Sequence, residues 1–306
     1  MSYYKRTADA LLQDLLDAFG AVLIEGPKWC GKTTTASQLA NSILRMQDPS
    51  LREEYLVTAK TKPSILLNGA TPRLIDEWQD APMLWDAVRT VVDDRQIPGQ
   101  LRMLPMSLWE SQESTGEVSL KELFNNPDYD IDGKMSKMTV EELIFAASRG
   151  GWPASLLART PKAQLLVAKN YVQTICSNDI SSIDGKKRDA RLTSMILRAY
   201  ARNVSTLVKK KSLLDDVTSS GEVSCHVDTF DDYVAALEKL FVIQNISAWC
   251  PAIRSKTAIR SGVKRCFCDP SIPIALLGLS PEALSMQLKT FGFIFEQMCI
   301  RDLKAY

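Results

Sequence analysis

The chain of 306 residues is long enough for two domains, and its 45% apolar and 24% charged residues are ordinary for a globular protein. No apolar run approaches the length of a membrane-spanning helix, so no membrane contact is expected. The net charge of +1 combines an acidic half, residues 1–150 (16 Lys/Arg and 22 Asp/Glu, net −6), with a basic half, residues 151–306 (21 and 14, net +7). This asymmetry predicts either different partners for the two halves or mutual attraction. Seven cysteines without a CxxC pair predict reduced thiols and a cytoplasmic location.

The first recognisable pattern follows an amphipathic N-terminal stretch. The β-prone run "AVLIE" at 21–25 leads into "GPKWCGKT", which matches G-x-x-x-x-G-K-[ST] without a mismatch. The run has the composition of a buried central strand. The following "TTTASQLANSIL" is predicted to be a helix with one apolar face, formed by Ala36, Leu39, Ala40 and Ile43. Strand, glycine loop and helix in this order predict a phosphate-binding loop.

The loop assigns roles to individual residues. Nucleotide-binding positions are expected at Gly26, Pro27, Lys28, Trp29, Cys30, Gly31, Lys32, Thr33 and Thr34. Lys32 would bridge the β- and γ-phosphates as a catalytic residue, and the Thr33 hydroxyl would bind Mg²⁺. Trp29 either stacks on a base or covers the loop. Cys30 is either a small filler or a thiol made reactive by neighbouring amides and Lys32.

A second pattern, "PRLIDEWQDAP" at 72–82, supplies the acidic residues that such a site needs. Asp76 and Glu77 stand where a short strand would end, 43 residues after Thr33. Asp76 would hold the magnesium ion through water, and Glu77 would orient and deprotonate the attacking water. An acid beside Asp76 argues against small-molecule kinases, which need no water-activating base. The two patterns together predict binding of ATP or GTP.

Five segments together resemble a group of prokaryotic AAA-superfamily-like P-loop ATPases with a C-terminal domain of unknown function. They are "GPKWCGKTT", "TPRLIDEWQDAPMLWDAVR", "LRMLPMSLWESQESTGEVSLKELF", "RGGWPASLL" and "LEKLFVIQNISAW…RSK", which span nearly the whole chain. The resemblance implies an ATPase core, a helical and winged-helix-like middle, and a nuclease-like tail. It also implies ATP rather than GTP. By analogy with the AAA lid, it offers Arg149 as a catalytic arginine that reaches the γ-phosphate.

Two departures from the family pattern affect these expectations. In the family, the segment after Pro98–Gln100 continues as an apolar strand that ends in Thr-Gly-Ser. Here "LRMLPMSLWE" follows at once. The strand with the polar sensor residue is therefore missing, by deletion or omission, and a gap in the core sheet is expected. The family also continues into a nuclease-like region, whose acidic and lysine site has no counterpart in residues 270–306.

The basic half contains a pattern of three helices followed by a two-stranded wing. The third helix, around 229–240, is acidic, which argues against sequence-specific reading of a DNA groove. The wing is basic, and its candidate nucleic-acid contacts are Arg254, Lys256, Arg260, Lys264 and Arg265. The alternative is a solvated charged surface. The only histidine, His226, has no triad or metal partner in the pattern, so histidine-based catalysis is not expected.

The predicted fold is α/β, with a P-loop core whose sheet is mostly parallel. The predicted organisation is an ATPase core at 1–145, a helical connector or lid at 146–205, a winged-helix-like module at 206–270, and the start of a truncated C-terminal domain at 271–306. The expected function is Mg-ATP binding with slow hydrolysis, coupled to motion of the C-terminal half. The alternative is a nucleotide-held switch or scaffold that turns over little and recruits a protein, a nucleic acid or a second copy of itself.

Overall fold

The computed structural model describes residues 3–92, 99–219, 221, 223–248 and 262–306. The chain forms two compact units. The first contains Met1–Gly26 and Gly31–Met103, and the second contains Pro27–Cys30 and Leu104–Tyr306. The middle of the glycine loop therefore belongs to a different unit from the residues on either side of it.

The first unit alternates short strands and helices. Its described strands are β1 Val22–Glu25, β2 Ser42–Arg45, β3 Arg73–Asp76 and β4 Gly99–Arg102. Its described helices are α1 Ala8–Ala18, α2 Lys32–Leu39, α3 Arg52–Thr61, α4 Ser64–Leu67, α5 Met83–Val91 and a 3-10 turn at Trp78–Asp80. This composition agrees with the predicted α/β class.

The strands form two parallel pairs instead of one continuous sheet. β1 pairs with β4, in a register that sets Val22 opposite Gly99, and β2 pairs with β3, in a register that sets Ser42 opposite Arg73. Within the described part of the chain, no strand joins the two pairs, so β1 and β3 each have one edge without a strand partner. The pairing is parallel, as predicted, but the four described strands do not form the single core sheet that was expected.

One apolar cluster of the first unit lies around β2. Its buried residues are Leu44, Met46, Ala59, Leu66, Ala81 and Leu84. All four residues of β1 are only partly buried. The prediction that "AVLIE" forms a buried central strand is therefore wrong in its burial.

The helix after the glycine loop is shorter than predicted. α2 ends at Leu39, and Ala40 already has an extended conformation. The Asn41 amide then donates to the Pro72 carbonyl at 2.8 Å, and Ile43 lies in β2 opposite Leu74. Pairing with β3 thus removes Ile43 from the predicted apolar helix face.

The second unit is helical. Its described α-helices are α6 Leu120–Asn125, α7 Val140–Arg149, α8 Pro153–Leu156, α9 Pro161–Thr174, α10 Ile180–Ser182, α11 Ala190–Arg202, α12 Lys210–Thr218, α13 Val227–Lys239, α14 Ser271–Leu277, α15 Pro281–Ser285 and α16 Leu288–Ala305. A π-helix at Ile175–Asp179 joins α9 to α10. As predicted, α7 ends at Gly150, which has a φ of 75°, and Pro153 begins the next helix.

One large apolar cluster runs through this unit, from Ile144 in α7 to Met298 in α16. Among its fully buried members are Trp152, Tyr171, Tyr200 and Phe267. The three parts predicted for the C-terminal half thus share a single core, and the predicted boundary at 145 falls inside α7. Three helices, α11 to α13, precede the antiparallel bridges Ile243–Phe267 and Ile246–Lys264, which is the predicted order of elements. The winged-helix interpretation of this order stays a prediction.

A buried polar network fixes the turn between α7 and α8. The Asp269 carboxylate accepts from the Gly151 amide at 2.9 Å and from Arg301 at 3.0 Å. Its other oxygen accepts from the Ser271 amide and hydroxyl at 2.9 and 2.5 Å. A side chain at Gly151 would meet the Met106 carbonyl at 2.1 Å, so this position requires glycine. Within the described residues, no helix is long and apolar enough to cross a membrane.

Candidate functional site

The glycine loop has the local structure that its sequence predicts. It leaves β1 at Glu25 and enters α2 at Lys32. Gly26 and Gly31 have φ values of 151° and 102°, a region in which a residue with a Cβ is strained. The Lys32 ammonium donates to the Gly26 carbonyl at 3.0 Å, and the Thr35 amide donates to Gly31 at 2.9 Å. Lys32 and Thr33 thus lie in the first turn of α2, whose amides can hold an anion.

The two predicted motifs meet in the first unit. The Thr33 hydroxyl donates to a carboxylate oxygen of Asp76 at 2.8 Å, across 43 residues of sequence. Asp76 is the last residue of β3, and Thr33 is the second residue of α2. A hydroxyl and a carboxylate at this distance can act together as oxygen ligands of one hard metal ion.

Glu77 stands directly beside this pair in a strained backbone conformation. Its φ of 56° places it in the left-handed region, which is uncommon for residues other than glycine and is enriched at functional sites. Its carboxylate accepts a hydrogen bond from the Gln79 side chain. Asp76 and Glu77 also line a cavity of about 280 Å³ together with residues 45–49. Glu77 therefore borders a space that is large enough for water.

The predicted magnesium ligands can be tested against this geometry. Mg²⁺ binds oxygen ligands and usually keeps several waters, with one or two protein groups and substrate phosphates completing its shell. Thr33 and Asp76 fit that requirement as the two protein groups. The described residues contain no group of three or more His, Cys, Asp or Glu side chains that could hold a metal by themselves.

The middle of the loop makes its contacts within the second unit. The Lys28 ammonium pairs with the Asp179 carboxylate at 3.0 Å. The Trp29 ring lies against Tyr171 with ring centroids 5.6 Å apart, and Cys30 is fully buried. The sequence allows Trp29 either to stack on a base or to cover the loop. In the structure, its ring contacts the Tyr171 side chain. Burial fits the interpretation of Cys30 as a small filler.

The aromatic contacts continue into the core of the second unit. The Tyr171 and Trp152 rings are 4.2 Å apart, and the Trp152 indole donates to Ser271 at 3.0 Å. Complete burial raises the pKa of Tyr171 far above its usual value, so its hydroxyl stays protonated. Sequence patterns do not point to Tyr171 or Asp179, because neither belongs to a motif and both lie more than 130 residues from the loop.

The predicted catalytic arginine is engaged within the second unit. Arg149 is the last residue of α7, its side chain is 5% exposed, and it donates to Glu113 at 2.5 Å. Its predicted role toward a γ-phosphate stays a prediction.

Two of the five candidate nucleic-acid contacts lie in the described part of the C-terminal half, and both contact other protein groups. Lys264 pairs with Glu296, and Arg265 donates to the Val208 carbonyl at 3.3 Å and lies over the Tyr200 ring. Arg254, Lys256 and Arg260 lie outside the described residues. Ion pairs also join Lys186 and Arg188 to Asp232, and Lys210 to Asp231, which are two acidic residues of α13.

The chain is similar to a protein family and to two proteins whose descriptions name no function. Residues 140–283 match a family described as Domain of unknown function (DUF8612). The chain is also similar to "Uncharacterized protein Mb2031c" of Mycobacterium bovis and "Uncharacterized protein Rv2008c" of Mycobacterium tuberculosis, each 25% identical over 313 residues. The matches cover 96% of this chain and 65% of each relative, so the chain spans less than two thirds of the length of these curated relatives. No solved structure matches.

Proposed function

We propose that this chain binds Mg-ATP through residues Gly26–Thr34 and hydrolyses it slowly, with hydrolysis coupled to a change in its C-terminal half. The observation that carries this proposal is the 2.8 Å contact between the Thr33 hydroxyl and the Asp76 carboxylate. It joins Thr33 of the glycine loop to Asp76 of the acidic pattern, the two residues that the sequence predicts to hold one magnesium ion. The preference for ATP over GTP rests on the family resemblance.

Each residue of the site has a defined task in this proposal. The Lys32 ammonium contacts the β- and γ-phosphates and stabilises the charge that develops on them during cleavage. Thr33 and Asp76 would hold Mg²⁺, which neutralises phosphate charge when bound. The Glu77 carboxylate accepts a proton from the attacking water, and its position beside a cavity that can hold water suits that task.

ATP turnover by the purified protein tests this assignment. Glu77→Gln should lower turnover by about 100-fold or more, because a positioned general base contributes at least that much, while ATP still binds. Lys32→Ala should weaken binding and turnover together. Matched controls are Glu53→Gln and Lys60→Ala, which change exposed residues of α3. Turnover that survives both site substitutions would contradict the proposal.

A nucleotide-held switch with little turnover is the second candidate. It is favoured by Arg149, whose buried guanidinium is occupied by Glu113. Tight ATP binding without turnover would select this function. The same assays with added DNA at two salt concentrations examine a nucleic-acid partner, because non-specific phosphate contacts weaken steeply as salt rises.

A further inference from the structure

The Lys28 ammonium pairs with an acid of its own unit that lies 151 residues further along the chain. The Lys28 ammonium and the Asp179 carboxylate are 3.0 Å apart. The Lys28 side chain is 52% exposed, whereas that of Asp179 is 15% exposed. The lysine is therefore the movable partner, on a flexible four-carbon chain, and the aspartate is the fixed one.

The position of Asp179 is set by an unusual helix. Asp179 is the last residue of the π-helix Ile175–Asp179, whose first two residues, Ile175 and Cys176, are buried in the core. Single-turn π-helices are rare and often occur at functional sites. The Asp179 carbonyl also accepts from the Ser182 hydroxyl at 2.9 Å, which ties its backbone to α10.

The backbone next to Lys28 is also held. Trp29 packs on Tyr171 and has a φ of 66°, a strained value for a residue with a bulky side chain. Cys30 is fully buried. The loop backbone is therefore anchored on the C-terminal side of Lys28, while the lysine side chain stays accessible.

We propose that Lys28 exchanges partners between the Asp179 carboxylate and the phosphates of a bound nucleoside triphosphate. Asp179 then acts as a positioning residue that lowers the affinity of the loop for polyphosphate, and a bound polyphosphate releases Asp179 from its ion pair. This inference rests on the proposed function, because it requires a phosphate-binding loop. It adds a charge-based route by which phosphate occupancy changes a helix of the C-terminal half.

The test is a double-mutant cycle on ATP and inorganic triphosphate affinity, measured by titration calorimetry. Asp179→Asn should bind both ligands about three-fold more tightly, which is the competition expected from a partly exposed ion pair. Lys28→Met should bind both more weakly. The double variant should bind like Lys28→Met, because Asp179 acts only through Lys28. Inorganic triphosphate is included because the proposal concerns phosphate alone.

Asp215→Asn is the matched control, because it removes the same charge from an exposed position on α12. A gain in Asp179→Asn no larger than in this control would overturn the inference, as would a gain that persists in the double variant. Weaker binding by Asp179→Asn would also overturn it and would make Asp179 a support for the loop. These outcomes leave the proposed function standing. Wild-type protein that binds neither ligand would overturn both.

Tryptophan fluorescence distinguishes an exchange of Lys28 partners from a general change in the structure of the variants. Trp29 neighbours Lys28 and contacts Tyr171, so loss of the ion pair on triphosphate binding should change its fluorescence. The change should be present in wild type and reduced in Lys28→Met, with Trp29→Phe identifying the signal. An equal change in Lys28→Met would contradict the exchange of partners. Melting temperatures without ligand show whether each variant is folded.

Discussion

The two units of the chain bury their apolar side chains very differently. In the first unit, the fully buried cluster is small and lies around β2, and every residue of β1 is partly exposed. In the second unit, one cluster extends from α7 to α16 and contains Trp152, Tyr171 and Tyr200. The candidate phosphate and metal ligands Lys32, Thr33 and Asp76 lie in the unit with the smaller core.

This difference shows which contacts hold the glycine loop. Lys32 and Thr33 begin a helix of only eight residues, and the single buried residue of that helix is Thr35. Residues 27–30, in contrast, belong to the unit with the large core, where Cys30 is fully buried. The first turn of α2 therefore has little packing of its own, and residues 27–30 are held by extensive packing.

The largest expected effect comes from the polar centre of the second unit. Asp269→Ala should destabilise the protein by about 3–5 kcal/mol, because it leaves Arg301 with a buried and incompletely paired charge. It also removes the acceptor for the Gly151 amide. Urea unfolding followed by circular dichroism measures the loss, with Asp215→Ala at an exposed position of α12 as the control. A loss below about 1 kcal/mol would show that this network adds little to the core.

Truncation of an apolar side chain in each unit compares how much the two cores contribute to the free energy of unfolding. Leu213 and Leu84 are both fully buried, in the large and the small cluster respectively. Leu213→Ala should cost about 3 kcal/mol and Leu84→Ala about 2 kcal/mol, because a small core relaxes more easily around a cavity. Ile24→Ala in partly buried β1 should cost about 1 kcal/mol. Hydrogen exchange resolved by residue measures the three losses of unfolding free energy. A larger cost at Ile24 than at Leu213 would contradict the conclusion that the larger core lies in the second unit.

The sequence predicted the local parts of the site because those parts are encoded locally. Glycines at 26 and 31 permit the loop, and Lys32 begins the helix. Asp76, the last residue of β3, lies within hydrogen-bond distance of Thr33 in the first turn of α2. Such motifs carry their own geometry, so residue spacing was sufficient to join them.

The remaining features depend on contacts that spacing does not contain. The end of α2 is set by pairing of Ile43 with β3, and the burial of β1 depends on how many strands flank it. The Lys28–Asp179 pair joins residues 151 positions apart, and a π-helix places its acid outside the regular helical period. Tertiary structure alone reveals these neighbours.

The smallest expected effect is at the exposed beginning of α7. Thr139 and Glu142 form a capping box, in which the Thr139 hydroxyl accepts from the Glu142 amide at 3.2 Å and the Glu142 carboxylate accepts from the Thr139 amide at 2.8 Å. Thr139→Ala should cost about 1 kcal/mol, the usual value for a lost N-cap. Thr139→Ser keeps the hydroxyl and should stay near wild type in the same urea unfolding experiment.

The comparison of the two units explains why this loss should stay small. The buried residues of α7 lie toward its C-terminal end, from Ile144 to Arg149, where the large core holds them. Fraying of the first turn exposes groups that water can solvate, and it leaves the packing of Ala146 and Ala147 intact. A cost of several kcal/mol would mean that the first turn of α7 unfolds only together with the core of the second unit.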